Sequence, residues 1–298
     1  MERKLIKQGL GGYTIYLPKK WLDMQGLDKG GEISIEESEN SLIILASKQN
    51  KKSETQITLH DVDETSIRTL ITNVYRKGYD KIQVLFENEK QFSILEDVIR
   101  KRLIGFDIVK KEKNKCIVEN ITEPSPDQFD NILSKVFLNI SSLFEITRQR
   151  FNGKKPEENF EEVEARIMQY DNFCRRVISK RHIIDKKSEF FWAFLHLIDH
   201  GQREIYHLNR LSSLKVSQKT KELLDDCEKM FNLIQESYAK KDIFILTTVH
   251  GLDNEAFYKK GYSLLEKTKG KETIIVYHLM ASLRKFFQTN SPLTGLLI

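Results

Sequence analysis

Three periodicities follow one another along this chain of 298 residues. In the first, Tyr13, Ile15 and Leu17 alternate with Thr14 and Tyr16, the two-residue period of a strand with one face buried. Gly11-Gly12 gives the backbone freedom for a tight turn ahead of that strand, and Pro18 ends it. Proline in the first turn of a helix forfeits no needed hydrogen bond, so Lys19 to Gln25 reads as a short helix closed by Gly26. A strand over Arg3 to Lys7 comes before. After the turn-rich segment Gly26 to Glu32, strands over Glu32 to Glu36 and Leu42 to Ala46 flank a polar turn.

The second region, residues 55–122, alternates strand and helix patterns. Gln56 to Leu59 reads as a strand, and Val62 to Arg76 as a helix with Ile67, Leu70, Ile71 and Val74 at helical spacing. Lys81 to Phe86 is a further strand, and Phe92, Ile94, Leu95, Val98, Ile99 and Leu103 mark a helix stopped at Gly105. Phe106 to Val109 and Lys115 to Asn120 close a β ribbon. This order predicts a small α/β connector, with no glycine-rich phosphate loop and no cluster of acid, base and nucleophile.

Glu123-Pro124-Ser125-Pro126-Asp127 is the clearest boundary, two prolines in three residues ahead of a capping Asp. Beyond it the apolar positions recur every three or four residues. Phe129, Ile132, Val136, Phe137, Ile140 and Phe144 begin a series of six stripes, the others lying at about 160–183, 188–212, 219–239, 243–268 and 272–288. They predict an all-α pair of antiparallel three-helix bundles. A repeat supports the division: Asp171-Asn172 precedes His196-Leu197 as Asp253-Asn254 precedes His278-Leu279, the second set lying 82 residues after the first. Apolar positions keep the same register, Ile167 with Val249, Tyr170 with Leu252, Ile198 with Met280 and Ile205 with Phe287.

Composition narrows the classes. A hydrophobic fraction of 40% with 31% charged residues is that of a folded globular chain, no run is long and apolar enough to cross a bilayer, and no apolar stretch follows the charged start as a signal peptide requires. A cytoplasmic protein is expected. Cys116, Cys174 and Cys227 are far apart and lack C-x-x-C spacing, so they read as buried apolar residues. The net charge of +5 permits an anionic partner without demanding one.

The order of a basic first strand, Gly12-Tyr13-Thr14-Ile15-Tyr16-Leu17-Pro18-Lys19-Lys20-Trp21, then Gly26-Leu27-x-x-Gly30 and an Ile-rich hairpin resembles the swapped-hairpin domain of the AbrB/SpoVT family. Gly31 departs from that pattern, which has Asp after the glycine. The resemblance implies a domain over 1–48 that dimerises by interleaving strands and binds DNA. So few large apolar residues in some 45 positions make a second copy the economical source of a core. In a two-fold dimer Arg3, Lys4, Lys7, Lys19 and Lys20 of both copies would form one basic surface for phosphates. A solvated face around a pure dimerisation module is the alternative.

The duplicated helices over 125–298, with repeats at about 127–213 and 217–290, resemble the PhoU family. That family carries acidic clusters for multinuclear metal and regulates phosphate transport through a transporter and a sensor kinase. An AbrB-like domain ahead of a PhoU-like one is similar to the archaeal type of phosphate-uptake regulator, and Ser291-Pro292-Leu293 fits it too. The motif residues are eroded. Of the motif at Leu195 to His200 only Asp199 and His200 match; Ile167 and Asp171 stand where two acids are expected, and Ala281 and Gln288 where carboxylates would be sought. Asp171, His196, Asp199 and His200 are then the candidate ligands for a divalent or iron-type metal, with Asp253 and His278 as the second-repeat counterpart. The competing expectation is a hydrogen-bonded Asp–His pair between helices.

His196-Leu197-Ile198-Asp199-His200 also has the outline of a zinc-peptidase motif, which needs Glu as base and a further ligand. A basic run at Arg175, Arg176, Lys180, Arg181, His182, Lys186 and Lys187 reads equally as a solvated helix end or as a partner-facing patch. The reading is a multidomain α+β, cytoplasmic, homodimeric transcriptional regulator of phosphate homeostasis, not an enzyme. Its rivals are a regulator acting only through contacts with a phosphate transporter or signalling protein, and a metallohydrolase using His196 and His200.

Overall fold

A computed structural model describes residues 3–9, 11–38, 41–46, 53–60, 62–181, 187–212 and 214–298. His182 and Lys186 of the basic run lie outside the described residues. Contacts divide the chain into two compact units, residues 1–52 and 53–298.

In the first unit β1 (Ile6–Gln8) pairs antiparallel with β2 (Gly12–Thr14), Lys7 standing opposite Tyr13. Helix α1 (Lys19–Gln25) starts where the N–H groups of Trp21 and Leu22 donate to the Pro18 carbonyl, and stops at Gly26, whose φ of 65° a residue with a Cβ adopts only under strain. A second antiparallel hairpin joins β3 (Ile33–Ser38) to β4 (Ser41–Ala46). The strand expected over Tyr13 to Leu17 ends early, at Thr14. Its partner begins at Ile6, opposite Thr14, and a strand without a neighbour has no ladder to join. The two hairpins form separate two-stranded sheets.

The second unit opens with a four-stranded sheet in the order β5-β6-β8-β7. β5 (Glu54–Thr58) and β6 (Lys81–Leu85) are parallel, linked by α2 (Glu64–Arg76) as a crossover helix, which parallel neighbours require. After α3 (Glu89–Arg102), β7 (Phe106–Glu112) and β8 (Lys115–Asn120) return antiparallel. Both helices are capped by side chains, Asp63 accepting from the Ser66 N–H and Asn88 from the Gln91 N–H. Ile67, Ile71, Tyr75, Val84, Leu95 and Val118 centre the core beneath them.

The helices that follow are α4 (Phe129–Phe151), α5 (Phe160–Arg181), α6 (Ser188–Asn209), α7 (Gln218–Lys240), α8 (Ile245–Asp253), α9 (Tyr262–Lys267), α10 (Lys271–Gln288) and α11 (Asn290–Leu297). The stripe expected to be one helix over 243–268 is interrupted: Asn254–Gly261 winds as a π-helix between α8 and α9. Asp171 and Asp253 are both buried, as are Ile167 with Val249 and Ile198 with Met280, so these positions keep their burial across the 82-residue shift, while Asn172 is buried and Asn254 exposed. Both triplets feed one continuous apolar core, where Phe231 touches Phe144 and Phe286. At the α6–α10 crossing Gly201 lies so close to the Phe286 ring that a Cβ there would stand 2.5 Å from it.

Arg175 and Arg176 belong to no solvated helix end and no partner patch. They are 2% and 0% exposed, and they join α5 to its surroundings. Arg176 donates from Nε and Nη2 to Glu123 at 2.6 and 3.1 Å, from Nη2 to Asp80 at 2.6 Å, and from Nη1 to the carbonyls of Tyr75 and Tyr79 at 3.0 and 2.8 Å. Its guanidinium also lies over the rings of Tyr75 and Phe106. Lys180 adds a second cation 2.7 Å from Asp80.

Removing one partner of a buried pair strands the other, so Arg176→Met is expected to lower the unfolding free energy by about 3–5 kcal/mol, measured by urea denaturation. Burial pulls the Asp80 carboxyl upward, but Lys180 and Arg176 outweigh it and hold it below the usual aspartate value. A depressed carboxylate contributes stability above its unfolded pKa and loses it as pH falls through the folded one. The stability gap between the wild type and Asp80→Asn should therefore be complete above about pH 4 and close as the pH drops below it.

Candidate nucleic-acid interface

The N-terminal unit is defined by what it fails to bury. None of its described residues is buried, and Tyr16 and Leu42 are 73% and 65% exposed. Leu5, Tyr13, Met24 and Ile35 are exposed as well. Two short hairpins and one helix of seven residues cannot cover these side chains, and so much exposed apolar surface on one small unit points to association.

Cations lie on the same unit. Arg3 and Lys4 precede β1, Lys7 lies on it, and Lys19 and Lys20 occupy the first turn of α1. All five are exposed, and none forms an ion pair with a described residue. Lysines in a first turn oppose the helix dipole, so Lys19 and Lys20 do nothing for the stability of α1 itself. Paired lysines at a cost to their own helix are suited to an anion outside the unit, and a nucleic-acid backbone is the anion such repeated cations fit.

The candidate metal residues are spread differently from the expectation. His196 and His200 are exposed neighbours on α6, one turn apart, with ring centroids 4.1 Å from each other. Asp199 points the other way into the bundle and accepts from Gln202 Nε2 at 3.0 Å. Asp171 is bound by Arg175 Nε at 2.7 Å and Arg76 Nη2 at 3.4 Å. In the second repeat Asp253 accepts from Arg284 Nη1 at 3.2 Å, while His278 Nδ1 lies 2.8 Å from Glu204. In neither repeat does the Asp hydrogen-bond its His: Asp171 and Asp253 are each paired with arginine. Among the described residues no three His, Cys, Asp or Glu side chains gather as a metal site would require.

Sequence reading missed Arg76, whose Nε also binds Asn172 Oδ1 at 2.8 Å and so ties α2 to α5. Its only local signal is the last-turn cation of α2. The three cysteines are free and buried, and burial raises the Cys116 thiol to about 11.

Residues 13–53 match the family model described as "Antidote-toxin recognition MazE, bacterial antitoxin". The chain thus carries a MazE/AbrB-like antitoxin-type domain over 13–53. No curated protein and no solved structure matches the chain. The PhoU resemblance of residues 125–298 has no support in these comparisons. No described helix is long and apolar enough to cross a membrane.

Burial first, and then the neighbouring His200, lower the pKa of His196. Replacing His200 with Gln should move the His196 midpoint upward in an NMR titration; an unchanged midpoint would show that the two rings do not interact.

Proposed function

We propose that the chain is a DNA-binding transcriptional regulator acting as a homodimer in the cytoplasm. The observation that carries this reading is the coincidence, in a stretch matching a MazE/AbrB-like domain, of an exposed apolar surface and of exposed cations that form no ion pair with a described residue. A second copy pairing with the hairpins would cover the first and present the second twice, a doubled basic surface matching the two-fold repetition of an operator. No catalytic role is assigned to any residue. The helical region is read as the module that senses or relays a signal; phosphate status is the signal suggested by the resemblance of its repeats to the PhoU family.

A second reading is favoured by the printed description of the matched family, which names toxin recognition. The N-terminal unit would then hold its own copy and a protein partner, with regulation exerted through contacts alone. A toxin, a transporter or a signalling protein would be the partner.

Gel shifts on genomic fragments recovered with the native protein separate the two. Each phosphate contact contributes about 0.9 to the slope of log affinity against log salt, so Lys19→Glu with Lys20→Glu should reduce that slope by about 3 to 4 per dimer and abolish binding near physiological salt. Absence of a shift at low salt, or one that ignores the two lysines, would sink the DNA reading. Sedimentation equilibrium should give a dimer at micromolar concentration, and a monomer there would remove the basis of both.

A further inference from the structure

Within the second unit, a cleft of about 420 Å³ opens between α2 and α6, reached also by the end of α3 and by α5. Five arginines line it, Arg68, Arg76, Arg102, Arg203 and Arg210, against two carboxylates, Glu64 and Glu164. The acids are already committed. Glu64 takes Arg68 with both oxygens, at 2.9 and 2.8 Å, and Glu164 takes Arg102 Nη2 at 3.0 Å. What remains is positive. Arg102 Nη1 is buried and makes no hydrogen bond with a described residue. Arg76 reaches Asp171 only at 3.4 Å, and burial lowers its pKa, a sign that its charge is poorly compensated. Half-buried Arg203 and exposed Arg210 form no ion pair with a described residue.

Guanidinium groups that outnumber the acids around them repel one another, and the repulsion is relieved when an anion enters. Their planar forks match the oxygens of a phosphoryl group, two N–H donors to two oxygens. Size and spacing narrow the anion further. The cleft lies within the usual range of small-molecule pockets, about 300–1,000 Å³, and exceeds what one phosphate fills. Arg203 on α6 and Arg210, the residue that caps its C-terminus, stand two turns apart, about 10 Å along the helix, while Arg76 and Arg102 reach in from the α/β side. Linked phosphoryl groups can meet cations so placed at several points at once.

We propose that this cleft binds a small molecule bearing two or more linked phosphoryl groups, a diphosphate or longer, either free or carried on a nucleoside. Arg203 on α6 and Arg210 at its C-cap hold it from one wall, and Arg76 with the unpaired Nη1 of Arg102 from the opposite one. The ligand then bridges the α/β layer and the helical bundle. This site is independent of the DNA reading, since none of its residues lies in the N-terminal unit.

Isothermal titration of the full chain with pyrophosphate, ATP and orthophosphate tests the assignment. Pyrophosphate or ATP should bind at least about tenfold more tightly than orthophosphate, and whichever of the two binds better identifies the free or the nucleoside-borne form. Arg203→Ala with Arg210→Ala should weaken binding at least about tenfold, Arg203→Lys with Arg210→Lys should restore part of it, and Lys19→Glu with Lys20→Glu should leave it unchanged. Hydrogen exchange of the wild type should slow in residues 64–76 and 203–210 when the better ligand is added. The proposal is overturned by absence of binding, by equal affinity for orthophosphate, by binding that the arginine pair does not affect or that Lys19 and Lys20 control, or by protection confined to other segments.

Discussion

Every N–H of the Arg176 guanidinium has an acceptor, and the acceptors come from three different places in the chain: the end of α2, the turn into β6, and the boundary at Glu123. A charge fully removed from water is tolerable only under such saturation. The need for saturation therefore dictates the local geometry. The Tyr75 and Tyr79 carbonyls must face α5, Asp80 and Glu123 must converge, and the edge-to-face rings of Tyr75 and Phe106 must pack together against the guanidinium. Apolar packing alone would let α5 slide against the α/β layer, because dispersion contacts have no direction. Five directed bonds leave it one register, to which Arg76, Asn172 and Arg102 add a second point of attachment.

The N-terminal unit is under the opposite constraint. Its apolar side chains are exposed among the described residues, and it is held by two short hairpins and a seven-residue helix. Small units of this kind depend on association for their stability. In the dimer proposed above, folding and assembly of this part would be one event, and the surface assembly creates would exist only in the assembled form.

The elements readable from the sequence are those whose cause is local. Helix α1 has the predicted bounds because Pro18 and Gly26 write both its ends into the chain. The long helices declare themselves by apolar spacing, and the register of the repeat reappears as matched burial at Asp171 and Asp253. Where the cause is distant, reading failed. Arg175 and Arg176 sit in a run of charges that looks like any solvated terminus, and the carboxylate of Asp80 that claims Arg176 is 96 residues away. Asp171 and Asp253 were matched with histidines because the repeat preserved both residue types, yet the repeat does not preserve partners: Arg76 and Arg175 serve one, Arg284 the other. Helix α11 lies beyond the last of the expected stripes, which ends at 288, and Pro292 sits in its first turn, where a proline interrupts no intrahelical bond.

The buried setting of Arg176 has a bearing on ionic strength. Mobile ions screen charges that face water and hardly touch a pair from which water is excluded. The joint between α5 and the α/β layer should hold its geometry in concentrated salt, while the attraction exerted by Lys19 and Lys20 fades. Salt thus acts on this molecule selectively, weakening what it holds from outside and sparing what it holds within, and a cell that changes its internal ion content would adjust the one without loosening the other.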